Sequence, residues 1–397
     1  MMTPASEIRN RVARVQARMA GAGIDAMLVL QTSDLFWLAG SIQQGALWVP
    51  ASGEPLYMVR KDLGRAREES GLARIVPLRS PKDLAGCLAE AGLAQASRVG
   101  MELDVVPVSV FRRWEAVLGG ATITDASPLL RAVRSVKSAW EVERMRASAV
   151  VSAGVFAHAA EVLRPGISEI EFAAALEHEA RRLGHQGFVR MRAFNAELFY
   201  GHIFAGPDSA MPGPYDTPLG GRGPGPAVGQ GAGPRRIGER EPVVVDLATA
   251  VDGYLADQTR TLCIGGLPDE LVAAYADMVR IQDRMVEVAR PGLAWGRVYD
   301  ECLALARSLG HADRFMGPAG SQVSFIGHGV GVELDEPPFI ARGFADSILE
   351  PGMTFAFEPK VVFPGVGAVG VEDTFLVTGD GVERLTLGPR DLVVVRS

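Results

Sequence analysis

The 397-residue sequence predicts an α/β (α+β) protein of two domains. Three observations carry that prediction. Strand-like and helix-like segments alternate up to about residue 130, two long helical segments follow, and two hairpin patterns bearing carboxylates occupy the C-terminal half. The length itself exceeds one ordinary domain.

Residues 7–22 repeat apolar positions at helical spacing, and after a Gly break "GIDAMLVLQ" reads as a buried strand. "GALWVPASGEPLYMV" and "ARIVPLRS" read as further strands, with helices around "KDLAGCLAEAGL" and "VSVFRRWEAVL". From Ser138 to Leu163 the pattern becomes one long helix, which "RPG" ends. Ser168 and Glu171 then form a capping box that opens a second helix over 169–184.

Residues 206–233 are rich in Gly and Pro but lack the GK[ST] signature and strand-to-helix setting of a phosphate cradle. A loop of that length inside a domain predicts a lid or a pocket wall. Composition excludes other classes. The net charge of −7, with acids beside the basic residues, leaves no basic footprint for nucleic acid. Cys87, Cys263 and Cys302 have no CxxC spacing, which fits a reducing compartment. No signal peptide and no membrane-length apolar run are read, so a cytoplasmic protein without a membrane partner is expected.

In "EPVVVDLATAVDGYLADQTRTLCIG", Asp252-Gly253 favours a two-residue turn. That turn sets Ala248 opposite Asp257 and Asp246 opposite Thr259. Asp246 and Asp257 become diagonal neighbours on one face, about 7–8 Å apart at the backbone, close enough to share metal. In "GMTFAFEPKVVFPGVGAVGVEDTFLVT", Glu358 and Glu372 flank a second turn. An odd-numbered loop sets them directly opposite, an even one does not, and Pro359 can introduce a bulge. His328 stands between glycines in "GHGVGVELDEPP". Four carboxylates and a neutral imidazole balance two divalent cations, and oxygen-rich ligation suits Mn²⁺, Co²⁺ or Fe²⁺ as well as Zn²⁺.

"VVVD…DGYLADQTRT", "GHGVGVELDEPP", "GMTFAFEP" and "GVEDTFLVT" resemble, in order and spacing, the metallopeptidase family of aminopeptidase P, prolidase, methionine aminopeptidase and creatinase. The resemblance implies a creatinase/prolidase-like α/β domain over residues 1–132. It also implies a pita-bread catalytic domain with a curved antiparallel sheet over 133–397, in a homodimer. It makes Asp246 a ligand of one metal and His328 a ligand of the other, with Asp257 and Glu372 bridging and Glu358 joining His328. It further implies hydrolysis of the bond before proline by a hydroxide held between the metals, with Glu358 carrying a proton to the leaving amine.

Two departures mark the substrate side. Family peptidases carry a second histidine seven residues after the metal-binding one, where this chain has Asp335, and another shortly before the first metal aspartate, where it has none. Asp335, if protonated, remains able to donate, and His202 in "FYGHIFAGP" is the candidate replacement donor. Lys360, where many family members have Gly, is available to Asp335, a substrate carboxylate or solvent. Arg260 is expected to support the ligands from behind. The residues leave two other readings open: a metal-dependent lyase or non-peptide hydrolase acting on a small organic acid, and a non-catalytic binding protein of the same fold.

Overall fold

The alternating N-terminal segments form a single six-stranded sheet in a computed structural model of the chain. The structure describes residues 1–93, 96–192, 194–198 and 200–396. It divides into two units, Met1–Arg134 and Ser135–Ser397, two residues beyond the boundary expected from the resemblance.

In the first unit, helix Ala5–Ala22 stops at Gly23, whose φ of 63° caps it in the left-handed region. The strands are β1 (Ala26–Val29), β2 (Gly45–Pro50), β3 (Leu56–Val59), β4 (Ile75–Pro77), β5 (Arg98–Met101) and β6 (Thr122–Asp125), in the order β4-β3-β2-β1-β5-β6. Helices Leu84–Glu90 and Val108–Glu115 fall where the sequence places them. Leu28, Trp48, Met58, Leu88 and Trp114 pack into one apolar cluster.

The second unit opens with helix Ala139–Val162, capped by a reciprocal Ser138–Glu141 box. Gly154 lets this helix approach helix Glu169–Leu183, because a Cβ there would press on the Leu183 side chain. The expected Ser168–Glu171 box is present. The strands are β7 (Gly201–Ala205), β8 (Val243–Val251), β9 (Tyr254–Ile264), β10 (Phe325–Val330), β11 (Leu334–Ala341), β12 (Thr354–Phe357), β13 (Lys360–Phe363), β14 (Gly367–Gly370), β15 (Asp373–Val377), β16 (Val382–Arg384) and β17 (Val393–Val395).

They make a sheet β17-β9-β8-β7, a sheet β11-β10-β12-β15-β16 and the ribbon β13-β14. The first helix pair contributes Val155, Phe172 and Leu176 to a core with Ile203, Val243 and Val245. A second pair, Asp269–Val288 and Trp295–Ser308, buries Met278, Ile281 and Val298 with Ile326, Phe355 and Phe375. Each half is thus a sheet backed by two helices. No helix among the described residues is long and apolar enough to cross a membrane.

Glu169 joins the two ends of the Gly/Pro-rich segment. One carboxylate oxygen accepts from Ala205 N at 2.7 Å and the other from Gly233 N at 2.9 Å. Burial outweighs these bonds and pushes its pKa up to about 7. A carboxyl raised in the folded state stabilises the fold fully below the unfolded value, and that contribution is lost as pH rises through the folded one. Urea unfolding at pH 4 and pH 8 should therefore show the wild type losing about 3 kcal/mol that Glu169→Gln does not lose.

Candidate metal centre

Asp252 and Gly253, with φ of 50° and 87°, form the two-residue turn between β8 and β9. The register pairs Asp246 with Thr259 and Ala248 with Asp257, as the turn dictates. The second hairpin takes the odd-numbered alternative. Three residues, 364–366, separate β13 from β14, and Lys360 pairs with Gly370. Phe357 pairs with Asp373 in the same register, so Glu358 and Glu372 face each other across an interruption.

Pro359 lies at that interruption, and each glutamate's backbone turns to another strand. Glu358 N donates to Ile326 O at 2.8 Å, while Glu372 N donates to Thr259 O at 3.1 Å. This is how carboxylates from two hairpins reach one place. His328 on β10 pairs with Ala356 of β12, and its flanking glycines are required by close backbone approach. A Cβ at Gly327 would meet Ala356 O, and one at Gly329 would meet Glu336 O.

His328 Nε2 lies 3.7 Å from Asp257 Oδ2, 3.6 Å from Glu358 Oε1 and 4.0 Å from Glu372 Oε1. Donors about 2.1 Å from one ion are about 3.0–3.4 Å apart, so closure by roughly half an ångström would seat a divalent cation here. Asp257, His328 and Glu372 offer donor atoms within 4.8 Å of one another, and so do Asp246, Glu358 and Glu372. All five expected ligand residues therefore converge. Glu336 turns away into a buried pair with Lys137 at 2.6 Å.

Burial, then repulsion from Glu372, Asp246 and Glu358, raises Asp257 well above the usual carboxylate range. Burial likewise raises Glu358 and pushes Glu372 up to about 8. Burial alone would lower His328, but Asp335, Glu358 and Glu372 outweigh it and hold its pKa above the ordinary value. Such crowding calls for cations.

One cation is already in the chain. Lys360 Nζ lies 2.8 Å from Asp246 Oδ2, 2.6 Å from Glu358 Oε2 and 3.3 Å from Glu372 Oε2. Its partners are thus the expected ligands themselves, in place of Asp335, a substrate carboxylate or solvent. The first donor group fits a divalent ion; the second encloses this ammonium and does not fit one while the ammonium stays.

Asp335 adopts φ 62° and sets Oδ1 3.4 Å from His328 Nδ1, leaving about half its side chain exposed. Nδ1 also has the Gly329 carbonyl as hydrogen-bond acceptor at 3.3 Å, and the carbonyl and the carboxylate together favour the tautomer that presents Nε2 to the ligand group. Asp335→Ala is expected to weaken metal binding about 10–100-fold, as read by competition with a chromogenic chelator. Arg260 supports the ligands as expected. It donates to the carbonyls of Thr259 at 2.8 Å, Glu372 at 2.7 Å and Pro389 at 2.8 Å, and to Asp373 Oδ1 at 2.8 Å.

The ligands open onto a cavity of about 340 Å³. Pro214, Tyr215, Thr217 and Gln230 make the Gly/Pro-rich segment one of its walls. His202, opposite Asp246 on β7, lines it too, and its Nε2 meets the Gln230 amide nitrogen at 2.8 Å. Burial holds His202 below its usual pKa. Gln230 had no sequence signal, being one polar residue in a loop of glycines.

Residues 143–379 match the Metallopeptidase family M24, and residues 11–136 match the Creatinase/Prolidase N-terminal domain. The chain is 24% identical to the Xaa-Pro dipeptidase of Pyrococcus furiosus, over 97% of its own length and 100% of the relative's. Among solved structures it resembles an Xaa-Pro dipeptidase from Bacillus anthracis (TM-score 0.83, 24% identity, 98% of this chain and 100% of that one). It also resembles dipeptidase PepE from Mycobacterium ulcerans (TM-score 0.81, 25% identity, all of both chains). A creatinase-like N-terminal domain therefore precedes a pita-bread domain, and the chain belongs to metallopeptidase family M24.

Proposed function

We propose that this protein hydrolyses the peptide bond before proline in short peptides, with a divalent metal held by Asp257, His328, Glu358 and Glu372. The observation that carries the proposal is the meeting of these side chains at a cavity whose 340 Å³ suits a small molecule. The names of the relatives, Xaa-Pro dipeptidase and dipeptidase, support the substrate class.

Bound divalent metal supplies Lewis acidity toward the scissile carbonyl and makes water nucleophilic near neutral pH. The side chains provide the rest. Hydrolysis puts a hydroxyl on the carbonyl carbon and a proton on the departing nitrogen. Glu358, beside the His328 position, takes the proton from water and returns it to that nitrogen. His202 and Gln230 form the polar wall that replaces the missing family histidine. Asp335 acts through His328 by orienting it.

One observation favours longer peptides over dipeptides. Among the described residues lining the cavity there is no lysine or arginine, while Glu197, Asp216 and Asp335 add negative charge. That lining suits an entering ammonium and gives no partner to a carboxylate one residue beyond the scissile bond. The test is a panel of Xaa-Pro dipeptides and longer Xaa-Pro peptides with Mn²⁺, Co²⁺, Zn²⁺ or Fe²⁺. Release of the N-terminal residue from the longer set supports this reading. Cleavage of neither set with any ion would overturn it and favour a small organic acid as substrate.

A further inference from the structure

We propose that the ammonium of Lys360 is a permanent substitute for one of two metal ions, so that this site takes a single divalent cation. The inference rests on the metal-dependent reading above and concerns how many ions the chain's own residues admit.

The donor atoms divide cleanly. Glu358 and Glu372 each turn Oε1 toward His328 Nε2, at 3.6 and 4.0 Å, where Asp257 Oδ2 stands at 3.7 Å. Each turns Oε2 toward Lys360 Nζ, at 2.6 and 3.3 Å, where Asp246 Oδ2 stands at 2.8 Å. Thr259 Oγ1 donates to Glu372 Oε2 at 2.5 Å and holds that carboxylate in its divided orientation. One set of oxygens surrounds the position beside the histidine, and the other surrounds an ammonium with its three N–H donors.

The lysine is seated by the fold. It begins β13 directly after the Pro359 interruption, and its cross-strand partner is Gly370. A Cβ on Gly370 would collide with Lys360 Cγ, so the missing side chain leaves the channel through which the lysine stem runs. The side chain is 1% exposed. An ion entering the Asp246 position would either displace a buried ammonium from all three carboxylates or lie beside it as a like charge. At the His328 position the imidazole has only to give up any proton on Nε2, and no lysine or arginine side chain lines it among the described residues.

Metal content of the full chain, equilibrated with Mn²⁺ or Zn²⁺ and freed of excess ion, tests this by elemental analysis. About one ion per chain is expected for the wild type and about two for Lys360→Gly or Lys360→Met. Asp246→Asn should retain about one ion, because its carboxylate serves the ammonium, whereas His328→Ala should retain none. Circular dichroism confirms that each variant is folded, and the aspartate variant decides the matter if the lysine variants are not. Two tightly held ions in the wild type, or loss of the ion in Asp246→Asn, would overturn the proposal while leaving a metal-dependent enzyme intact. No ion bound under any condition would overturn the metal-dependent reading itself.

Discussion

Arg260→Met is expected to destabilise the catalytic unit by about 3–5 kcal/mol, a large part of the stability of an ordinary domain. The guanidinium is buried and makes four hydrogen bonds, three to carbonyls and one to Asp373. Methionine preserves much of the volume but leaves Asp373 a buried carboxylate without its main partner. It also leaves the Glu372 carbonyl with only the longer bond from Thr259 N, at 3.3 Å, at the point where β9 meets the strand interruption. Lysine cannot satisfy several acceptors in one plane, so Arg260→Lys should recover only a minor part of the loss. A chemical denaturation midpoint measured without added metal reads the effect, because it separates fold from ion binding. A change below about 1 kcal/mol would show that the network is not needed for folding.

His328→Ala is expected to reduce kcat/KM by about 10³-fold or more, equivalent to about 4 kcal/mol of transition-state stabilisation. Nε2 is the one nitrogen donor in the group of Asp257, Glu358 and Glu372, and Asp335 orients it from behind. Its loss leaves three crowded carboxylates with weaker hold on an ion and removes the group that faces Glu358. Steady-state kinetics across a metal titration would check this. Full recovery of kcat at raised metal concentration would limit the imidazole to binding, whereas a persistent deficit would place it in the chemistry too.

Much of this centre was legible in the sequence because turns count residues. Asp252-Gly253 fixed the offset between Asp246 and Asp257 locally, without information from elsewhere in the chain. The glutamate pair was only half legible, since both loop parities were compatible with "PGVG" until the strands were placed. Lys360 was not legible. A lysine beside a ligand looks the same whether it faces solvent or a carboxylate 114 positions away, as Asp246 is. The absent side chain at Gly370 was a signal in principle, but it has meaning only once the two residues are known to be opposite. His202 and Gln230 likewise meet across 28 positions that include the Gly/Pro-rich segment, where no periodicity guides the eye.

The short link at 364–366 gives the hairpin an arithmetic role. Half-exposed or exposed connections of this kind ordinarily accept insertions and deletions freely, because little is packed on them. Here the link determines which residues of the two arms come face to face, and side chains alternate between faces with a period of two. A change of one residue must be absorbed by the turn itself or by a bulge, or it sends one glutamate to the wrong side; a change of two can leave both directed inward. A remote surface connection therefore works as a parity check on the centre, with its length constrained even where its composition is free.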